Sequence, residues 1–545
     1  MKKLNLFLVS LCVVSAASAK TLYVKPDVSS VAWSNASAGS VYTDLKTAME
    51  NAVFGDEIWV SAGEYQLSEA LNMKDGVSIY GGFVGTETSV EDRAKVEGGN
   101  PWDFVNETVI TKDPLLAASN LFNQTATFNN PRITDGFTFE KSIGTACTVR
   151  KGTTVQNCIF RENVSTWGGG GVQMYQGGTV RYCYFYNNIS RSDDRNGGAG
   201  LYSNASTLDT PMFVENCVFD SNYGRPYHYS IQGGGLKANA ATTVANCIFY
   251  NNMAGDATLG YGQGAAIFSA YPSNTFINCL VYNNSGSPVA VSNGGTFVNL
   301  TVCNNLVGIK GSSDAVYFGG AQTQILGNSV IWNNQYTNKE ISGIYTAVNN
   351  YVAILYNLAH NGEIISAETS TWDDHVYVLS NDNMGSAENE NYPEFINPTT
   401  FIGASVTLDA DSLAEIRSAD WRIKSTSFLV DKGDNLSVDI AYDKDLAGNI
   451  RALTEGDPCD LGAYEAVKGD SHLSLSAIDE SCIYASSGYL YVNSEYSRVS
   501  VFDISGKLVV SFNTGNLVEP VALESGIYIV KVETDGHSVT GKVVL

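Results

Sequence analysis

The sequence predicts an all-β protein in which a parallel β-helix, built from short strands wound into stacked coils, precedes a small C-terminal β-sandwich. Three observations support this fold class. Two short phrases recur in fixed order through the middle of the chain, and the last residues form short runs that alternate between apolar and polar. The 545 residues include 52 glycines and only 16% are charged, a composition that suits strands and tight turns.

The first phrase is an Asn-Cys pair followed by an apolar run that closes on a second asparagine. Its copies begin at Asn157, Tyr182, Asn216, Asn246 and Asn278, and two weaker copies end at Asn305 and Asn334. The second phrase is rich in glycine and occupies residues 168–172, 197–201, 233–236 and 262–267. Apolar residues alternate within the runs, and Gly and Asn tolerate the positive φ of tight corners. Each repeat of 25 to 34 residues therefore predicts one coil of a β-helix.

Equivalent side chains of stacked coils form columns, so the repeat predicts an inward column of small apolar side chains. Its members are Cys158, Cys183, Cys217, Cys247 and Cys279. Neighbouring cysteines are close enough to bridge, but their side chains point in parallel, which favours free thiols over disulfides. The closing asparagines predict a second column, at a corner, whose amides bond coil to coil. The state of the other cysteines stays open: Cys147, Cys303, Cys459 and Cys482.

The N-terminus predicts a secretory signal peptide at residues 1–19. Lys2 and Lys3 precede an apolar segment at 4–14, and a small-residue site predicts cleavage after Ala19. No later segment has the roughly 18 consecutive apolar residues of a membrane-spanning helix, so the mature chain is predicted to have no transmembrane segment. The formal net charge of −24 argues against nucleic acid as a partner, because phosphates would be repelled.

The two ends of the β-helix are expected to be capped. Leu45, Ala48, Met49 and Ala52 have helical spacing, and Gly55 follows as a stop. This stretch resembles the N-terminal cap of pectate-lyase-like β-helices, in which a short helix closes the open end, and we assign residues 20–66 to it. The repeats are expected to occupy residues 67–391, and residues 392–467, where the repeat is lost, are expected to form the last coils and a C-terminal cap.

The paired phrases resemble the F-x-x-N and G-G-A-I repeats of polymorphic outer-membrane proteins, a family of β-helix surface proteins. The matching residues are Phe160, Phe185, Phe219 and Phe249 for the first repeat, and Gly234, Gly235 and Leu236 for the second. The resemblance covers the repeats only. It implies a right-handed parallel β-helix, a pectin-lyase-like solenoid, at a cell surface.

Residues 468–545 predict a linker and the small β-sandwich. They closely resemble the C-terminal sorting domain of type 9 secretion cargo in Bacteroidota. The matching residues are Asp503, Gly506, Lys507, Gly526, Tyr528, Lys531 and Lys542. The resemblance implies passage through the periplasm and across the outer membrane by the type 9 secretion machinery, removal of the domain, and then release or attachment to the cell surface.

A candidate binding surface is predicted where four loops join the first phrase to the second. These loops, at 164–167, 189–196, 223–232 and 253–261, are expected to leave one corner of the coils as a ridge or groove. Their aromatic, acidic and basic side chains suit sugar rings and hydroxyls. The candidate ligand-binding residues are Trp167, Asp193, Asp194, Arg195, Arg225, Tyr227, His228, Tyr229, Asp256 and Tyr261.

The sequence favours a non-catalytic adhesin or glycan-binding module, secreted or attached to the cell surface. Its partner would be a glycan or a surface protein of a host or another bacterium. The alternative is a polysaccharide lyase or glycoside hydrolase, because β-helices carry such enzymes, but the sequence assigns no catalytic residue. It has no zinc motif and predicts no cofactor, and Ca²⁺ held by carboxylates is the metal that an acidic chain would admit.

The sorting role predicts the outcome of a deletion. Removing the residues from about 473 onward should leave the β-helix folded but trapped in the periplasm, because the sorting signal lies in the deleted part. Fractionation of a Bacteroidota host checks this against the full-length chain. Delivery of the truncated chain to the surface at the normal level would refute the role.

Overall fold

The fold is described from a computed structural model. It describes residues 19–26, 33, 36, 40–113, 120–191, 197–204, 210–225, 232–256, 260–308, 314–320, 322–346, 353–365, 371–372, 375–384, 390–405, 407–434, 444–451, 458–466, 483–486, 489–492, 498–503, 507–513, 521–522, 527–534 and 537–544. The chain divides into two compact units, Met1–Ala466 and Val467–Leu545.

The first unit is a solenoid with three faces of parallel strands. The first face contains Thr21–Val24, Glu57–Ser61, Ser78–Phe83, Arg132–Asp135, Thr153–Gln156, Gly178–Arg181, Met212–Glu215, Thr242–Ala245, Thr275–Ile277, Gly295–Val298 and Thr371–Trp372, with Val41–Tyr42 beside its first strand. The second face contains Gly63–Leu67, Thr108–Lys112, Thr138–Glu140, Ile159–Arg161, Tyr184–Tyr186, Val218–Asp220, Ile248–Tyr250, Leu280–Tyr282, Thr301–Cys303 and Val376–Val378. Two longer strands belong to both faces, Gln324–Trp332 and Ala353–His360.

The third face and a shorter corner sheet complete each coil. The third face contains Leu71–Asn72, Phe122–Asn123, Cys147–Arg150, Val172–Tyr175, Leu201–Asn204, Leu236–Asn239, Gln263–Ser269, Ser287–Val291, Val316–Phe318, Ile344–Thr346 and Ile364–Ile365. The corner sheet, between the second and third faces, contains Val164–Ser165, Ile189–Ser190, Tyr223–Gly224, Met253–Asp256 and Gly260–Tyr261, followed by Leu306–Val307, Asn334–Tyr336 and Ile341–Ser342. This winding confirms the predicted parallel β-helix.

Two columns of left-handed backbone positions turn the chain at the ends of the second face. The first column contains Asn157, Tyr182, Asn216, Asn246, Asn278, Asn299, Asn328 and Asn357, with φ between 45° and 57°. The second, here called the corner column, contains Glu162, Asn187, Ser221, Asn251, Asn283, Asn304 and Asn333, with φ between 47° and 58°. Asparagine dominates both columns because its short polar side chain tolerates this region better than most residues do.

A ladder of buried asparagines follows the corner column. Its members are Asn163, Asn188, Asn222, Asn252, Asn284, Asn305 and Asn334, all with no exposed surface. The amide nitrogen of Asn222 donates to Oδ1 of Asn252 at 2.9 Å and to the carbonyl of Phe185 at 2.9 Å. Its Oδ1 in turn accepts from the side chain and the backbone N–H of Asn188, at 2.9 and 3.2 Å. This confirms the predicted bonding from coil to coil.

Aromatic rings and thiols fill the interior beside the ladder. Phe160, Phe185, Phe219 and Phe249 stack nearly parallel, with successive ring centroids 5.0, 4.6 and 4.6 Å apart. The cysteines of the repeat are free and fully buried, as predicted, and each thiol lies 3.1 to 3.3 Å from the carbonyl oxygen two residues earlier. Cys147, Cys303 and Cys459 are also free and buried, and Cys482 lies outside the described residues.

A short helix stands at the N-terminal end of the solenoid. It spans Leu45–Asn51, and Asp44 caps it by accepting the backbone N–H of Thr47 at 2.6 Å. Leu45, Ala48 and Met49 are buried in the core, and Ala52 ends the helix. The predicted helical spacing is therefore correct at this end of the chain.

The described residues between 390 and 466 lie along the outside of the second face. They form two antiparallel pairs, Phe395–Asn397 with Asp420–Ile423 and Gly433–Asp434 with Pro458–Cys459, and a helix, Ala410–Ser418. Phe395, Ile416 and Trp421 are buried against outward side chains of the second face, among them Tyr282 and Trp332. We name this segment the outer cover. It differs from the expected last coils and end cap, because late repeats carry apolar residues at outward positions that need covering.

The second unit contains two antiparallel sheets. Ile483–Ser486, Tyr489–Val492 and Val521–Ala522 form one, and Arg498–Asp503, Leu508–Asn513, Ile527–Thr534 and His537–Val544 form the other. Arg498–Asp503 and Ile527–Thr534 pair in register, which places Asp503 opposite Tyr528. The backbone N–H of Lys507 donates to the Asp503 carboxylate at 3.0 Å. Gly506 and Gly526 lie outside the described residues, and the sandwich packing stays a prediction.

The buried thiol column predicts a large effect of a charge at its centre. Cys217→Asp should lower the free energy of unfolding by more than about 4 kcal/mol, because an unpaired carboxylate would stand among apolar side chains. Cys217→Ala, the matched control, should cost only about 1–2 kcal/mol. Urea unfolding of both variants measures the difference. Equal stability of the two would contradict the inward placement of this column.

Candidate functional site

The four loops of the predicted binding surface begin in one parallel sheet. Val164, Ile189, Tyr223 and Met253 stand opposite one another in successive coils. Their loops therefore start at the same corner, as the repeat predicts. Trp167, in the first loop, exposes 56% of its surface.

The rest of this predicted surface is described only in part. Arg225 is exposed just after its corner strand. For Asp256 and Tyr261 the structure gives the backbone, which forms a short antiparallel pair at this point. The other six candidates lie outside the described residues: Asp193, Asp194, Arg195, Tyr227, His228 and Tyr229. The surface as a whole stays a prediction.

A groove that the sequence did not single out lies on the neighbouring second face. Its cavity has a volume of about 560 Å³, within the size range of ligand sites. Two outward columns of the second face form the floor, one through Ile159, Tyr184, Val218, Ile248 and Leu280, the other through Arg161, Tyr186, Asp220, Tyr250 and Tyr282. Residues 100–103 line the cavity together with the first of these coils, and Arg417, Ala419 and Tyr464 of the outer cover line it with the later ones.

Aromatic rings make up much of the groove surface. Trp102 stacks on Tyr184 with centroids 5.7 Å apart and planes at 9°. Tyr184 in turn stacks beside Tyr186 at 5.9 Å and 5°. The guanidinium of Arg417 lies 5.2 Å from the centroid of Tyr186. Three rings with nearly parallel planes therefore line the groove in a row, and aromatic rings of this kind pack against flat apolar ring faces.

A buried carboxylate lies at the centre of the floor. Asp220 is fully buried and accepts two hydrogen bonds from Arg417, at 2.8 and 3.0 Å, and one from the hydroxyl of Tyr184 at 2.5 Å. Burial and the Asp220 carboxylate both raise the pKa of Tyr184 above its ordinary value. Burial alone would lower the pKa of Arg417, but the same carboxylate raises it above the ordinary value. Asp220 therefore holds the outer cover on the solenoid.

The end of the groove beside Arg161 is made by an insertion within one coil, residues 84–107, between the first-face strand Ser78–Phe83 and the second-face strand Thr108–Lys112. Arg93 anchors it to the solenoid through an ion pair of 2.8 Å with Asp135, in which both side chains are at most 7% exposed. Glu87 accepts the backbone N–H groups of Val84 and Gly85 at 2.7 and 2.8 Å. The insertion includes a 3₁₀ turn at Val90–Asp92. Trp102, which is 9% exposed, is thus held against Tyr184 by a braced segment.

Charges at this end of the groove are also paired. Arg161 contacts Glu140 at 2.7 Å and Glu107 at 3.0 Å. Among the residues that the structure describes, no three His, Cys, Asp or Glu side chains are placed to hold a metal ion. The groove thus presents aromatic rings, two arginines paired with carboxylates, and the carboxylate of Asp103, which accepts hydrogen bonds from Asn100.

Part of this groove was visible in the sequence. The phrase at residues 183–186 reads Cys-Tyr-Phe-Tyr, and in a strand the residues on either side of the inward phenylalanine must point outward. Aromatic residues at outward positions were therefore the available signal. Trp102 and Arg417 belong to segments without the repeat, so no periodicity places them beside Tyr184.

Comparison with known proteins agrees with both units. Residues 115–307 match the family described as "Right handed beta helix region", and residues 485–545 match "Secretion system C-terminal sorting domain". The chain therefore carries a right-handed β-helix region followed by a sorting domain of the type 9 secretion system, and it is a secreted or cell-surface protein. No helix among the described residues is long and apolar enough to cross a membrane.

Solved structures with a similar winding are distant in sequence. "Crystal structure of pectate lyase Pel9A" shares 14% identity over 83% of this chain and 97% of that chain, with a TM-score of 0.42. "The complex structure of XylC with xylose" shares 9% identity over 82% and 98%, with a TM-score of 0.43. "Rhamnogalacturonan lyase" shares 13% identity over 73% and 98%, with a TM-score of 0.32. No curated protein matches the chain.

The ion pair beneath the groove predicts a non-additive mutant cycle. Arg417→Met should lower the free energy of unfolding by about 3 kcal/mol, because the buried Asp220 carboxylate loses its charged partner. In the double variant Arg417→Met/Asp220→Asn, at least about half of that loss should be recovered, since no buried charge remains. Chemical denaturation measures both. Additive losses would show that the two side chains do not depend on each other.

Proposed function

We propose that the protein is a non-catalytic glycan-binding module, an adhesin-like factor delivered by type 9 secretion, and that the groove on the second face holds the glycan. The observation that carries the proposal is the row of rings formed by Trp102, Tyr184 and Tyr186. Such rings stack on the apolar faces of sugars. Arg161, beside Tyr186 in the preceding coil, and Arg417, whose guanidinium lies 5.2 Å from the Tyr186 ring, supply donors for sugar hydroxyls.

The length of the groove suits a short oligosaccharide. Its lining runs over five successive coils, from the strand of Ile159 to the strand of Leu280, but in the fifth coil Leu280 and Tyr282 are each only 3% exposed beneath the outer cover. The first four coils span three coil spacings, about 14 Å. An extended chain of sugar rings lying along the solenoid axis would meet the aromatic row first and the outer cover last.

The charges favour an uncharged glycan. Arg161 and Arg417 are each paired with carboxylates, so neither offers an unbalanced positive charge. The formal net charge of −24 adds a long-range repulsion against polyanions. A neutral polysaccharide or oligosaccharide meets neither obstacle.

The arrangement of the floor also favours binding over catalysis. A general base or nucleophile needs a carboxylate placed to accept a proton or attack the substrate. Asp220 already accepts hydrogen bonds from Arg417, Tyr184 and Ser221, and Asp103, the carboxylate that lines the cavity, accepts two from Asn100. Incubation of the protein with polysaccharides tests the alternative of a lyase or hydrolase, because either enzyme would release shortened products.

The proposal predicts which aromatic residues matter. Trp102→Ala and Tyr186→Ala should each weaken the binding of neutral oligosaccharides by about 1–3 kcal/mol, because each removes a stacking surface. Tyr345→Ala is the matched control. Tyr345 stacks on Tyr317 on the third face, away from the groove, and its loss should leave affinity unchanged. Calorimetric titration of the mature protein against a panel of neutral and anionic glycans measures these effects.

A second variant separates the groove from the predicted corner surface. If Trp167→Ala weakens binding while Trp102→Ala does not, the ligand lies on the corner loops. If no glycan of either charge class binds, the proposed function is wrong. Either conclusion requires each variant to be folded at the titration temperature, because Trp102 is only 9% exposed and its loss should lower the melting temperature.

A further inference from the structure

A second, smaller cavity adjoins the groove and shares Tyr186 with it. Its volume is about 220 Å³. The side chains that line it come from the edge of the second face, the corner sheet and the outer cover: Tyr186, Asn187, Ser221, Tyr223, Asn251, Met253, Ser405, Leu408 and Leu413. We name it the side pocket. One wall is polar and belongs to the corner column, and the opposite wall is apolar.

The polar wall is part of the corner column, whose later members hydrogen-bond the extended chain of the outer cover. As the outer cover passes the late coils, the amide of Asn304 donates to the carbonyl of Thr399 at 2.8 Å. One coil earlier, Asn283 donates to the carbonyl of Phe401 at 2.8 Å. The corner column therefore offers one polar side chain per coil to whatever lies along it.

Asn251, one coil earlier again, also bonds the cover, but here the asparagine accepts. Its Oδ1 accepts the backbone N–H of Ser405 at 3.3 Å, and its amide nitrogen donates to Ser221 at 2.8 Å. At Ser221 and Asn187, one and two coils earlier, Leu408 and Leu413 of the cover form the facing wall. Asn187 is exposed, and its side-chain amide makes no hydrogen bond among the described residues. The polar column thus continues into a cavity that the cover leaves open.

We propose that the side pocket binds a single-sugar branch of a neutral glycan whose main chain lies in the groove. The inference rests on the proposed function and specifies its ligand. A sugar ring presents hydroxyls at its edge and C–H groups on its faces, which match Asn187 and Ser221 on one wall and Leu408 and Leu413 on the other. Because Tyr186 lines both cavities, a branch attached next to that ring would enter the pocket directly.

The test compares linear and branched oligosaccharides that share a backbone. Cellotetraose is paired with a xyloglucan heptasaccharide, and linear mannotetraose with a galactosylated mannotetraose, each titrated calorimetrically into the mature protein. The branched member of at least one pair should bind about tenfold more tightly, which corresponds to one added hydrogen bond and a packed ring face. Leu408→Trp fills the pocket, and Asn187→Ala removes its amide. Each should lower the affinity for the branched ligand to the affinity for the linear one.

The matched control is Ile396→Trp, a new indole at a position of the outer cover that is 44% exposed and does not line either cavity. It should keep the preference for the branched ligand. Equal affinity for linear and branched members, with binding still lost in Trp102→Ala, would overturn the side pocket while leaving the groove as the binding site. Absence of binding by every oligosaccharide would overturn both. If Leu408→Trp does not fold, Asn187→Ala decides the question.

Discussion

The asparagine ladder is the interaction on which the rest of the solenoid depends. A central member such as Asn222 accepts from the coil before it, donates to the coil after it, and also donates to the backbone carbonyl of Phe185. No water is needed to satisfy these groups, so a polar side chain can be buried fully without an energetic penalty. A coil displaced by one residue would lose all of these bonds at once, and the ladder therefore fixes the register.

The register of the inward side chains determines which side chains point outward. Because Phe185 and Phe219 stack in the core, Tyr184 and Tyr186 must face outward beside Val218 and Asp220 of the next coil. The groove floor is a direct consequence of this alternation. The corner column, one residue before the ladder, points polar side chains in the opposite direction from the ladder, and these bind first the outer cover and then line the side pocket.

Much of the fold could be predicted from the sequence, because each copy of the repeat shows the same order of apolar, glycine and asparagine positions. The cysteine column, the asparagine ladder and the N-terminal helix were each predicted from positions such as Cys217, Asn222 and Leu45. The corner from which the loops begin was predicted for the same reason. The sorting domain was predicted from its matching residues, among them Asp503, Lys507 and Tyr528.

The groove and the outer cover could not be predicted in the same way. Trp102 and Arg417 reach Tyr184 and Asp220 from an insertion and from a segment about 200 residues downstream, and neither carries the repeat. The late repeats contain one sequence signal of the outer cover. Val330 and Trp332 are apolar at outward positions as well as inward ones, which indicates a second layer, here supplied by residues such as Phe395 and Trp421.

Substitution of one ladder member by leucine tests the central claim most directly. Asn222→Leu keeps the side-chain volume but leaves the amide of Asn188, the Oδ1 of Asn252 and the carbonyl of Phe185 without their partner. Denaturant unfolding should show a loss of at least about 3 kcal/mol. The same change at Asn239, a part-exposed residue of the third face with contacts of 3.3 and 3.4 Å, should cost less than about 1 kcal/mol. Equal stability of Asn222→Leu and the native protein would contradict the claim that the ladder fixes the register of the coils.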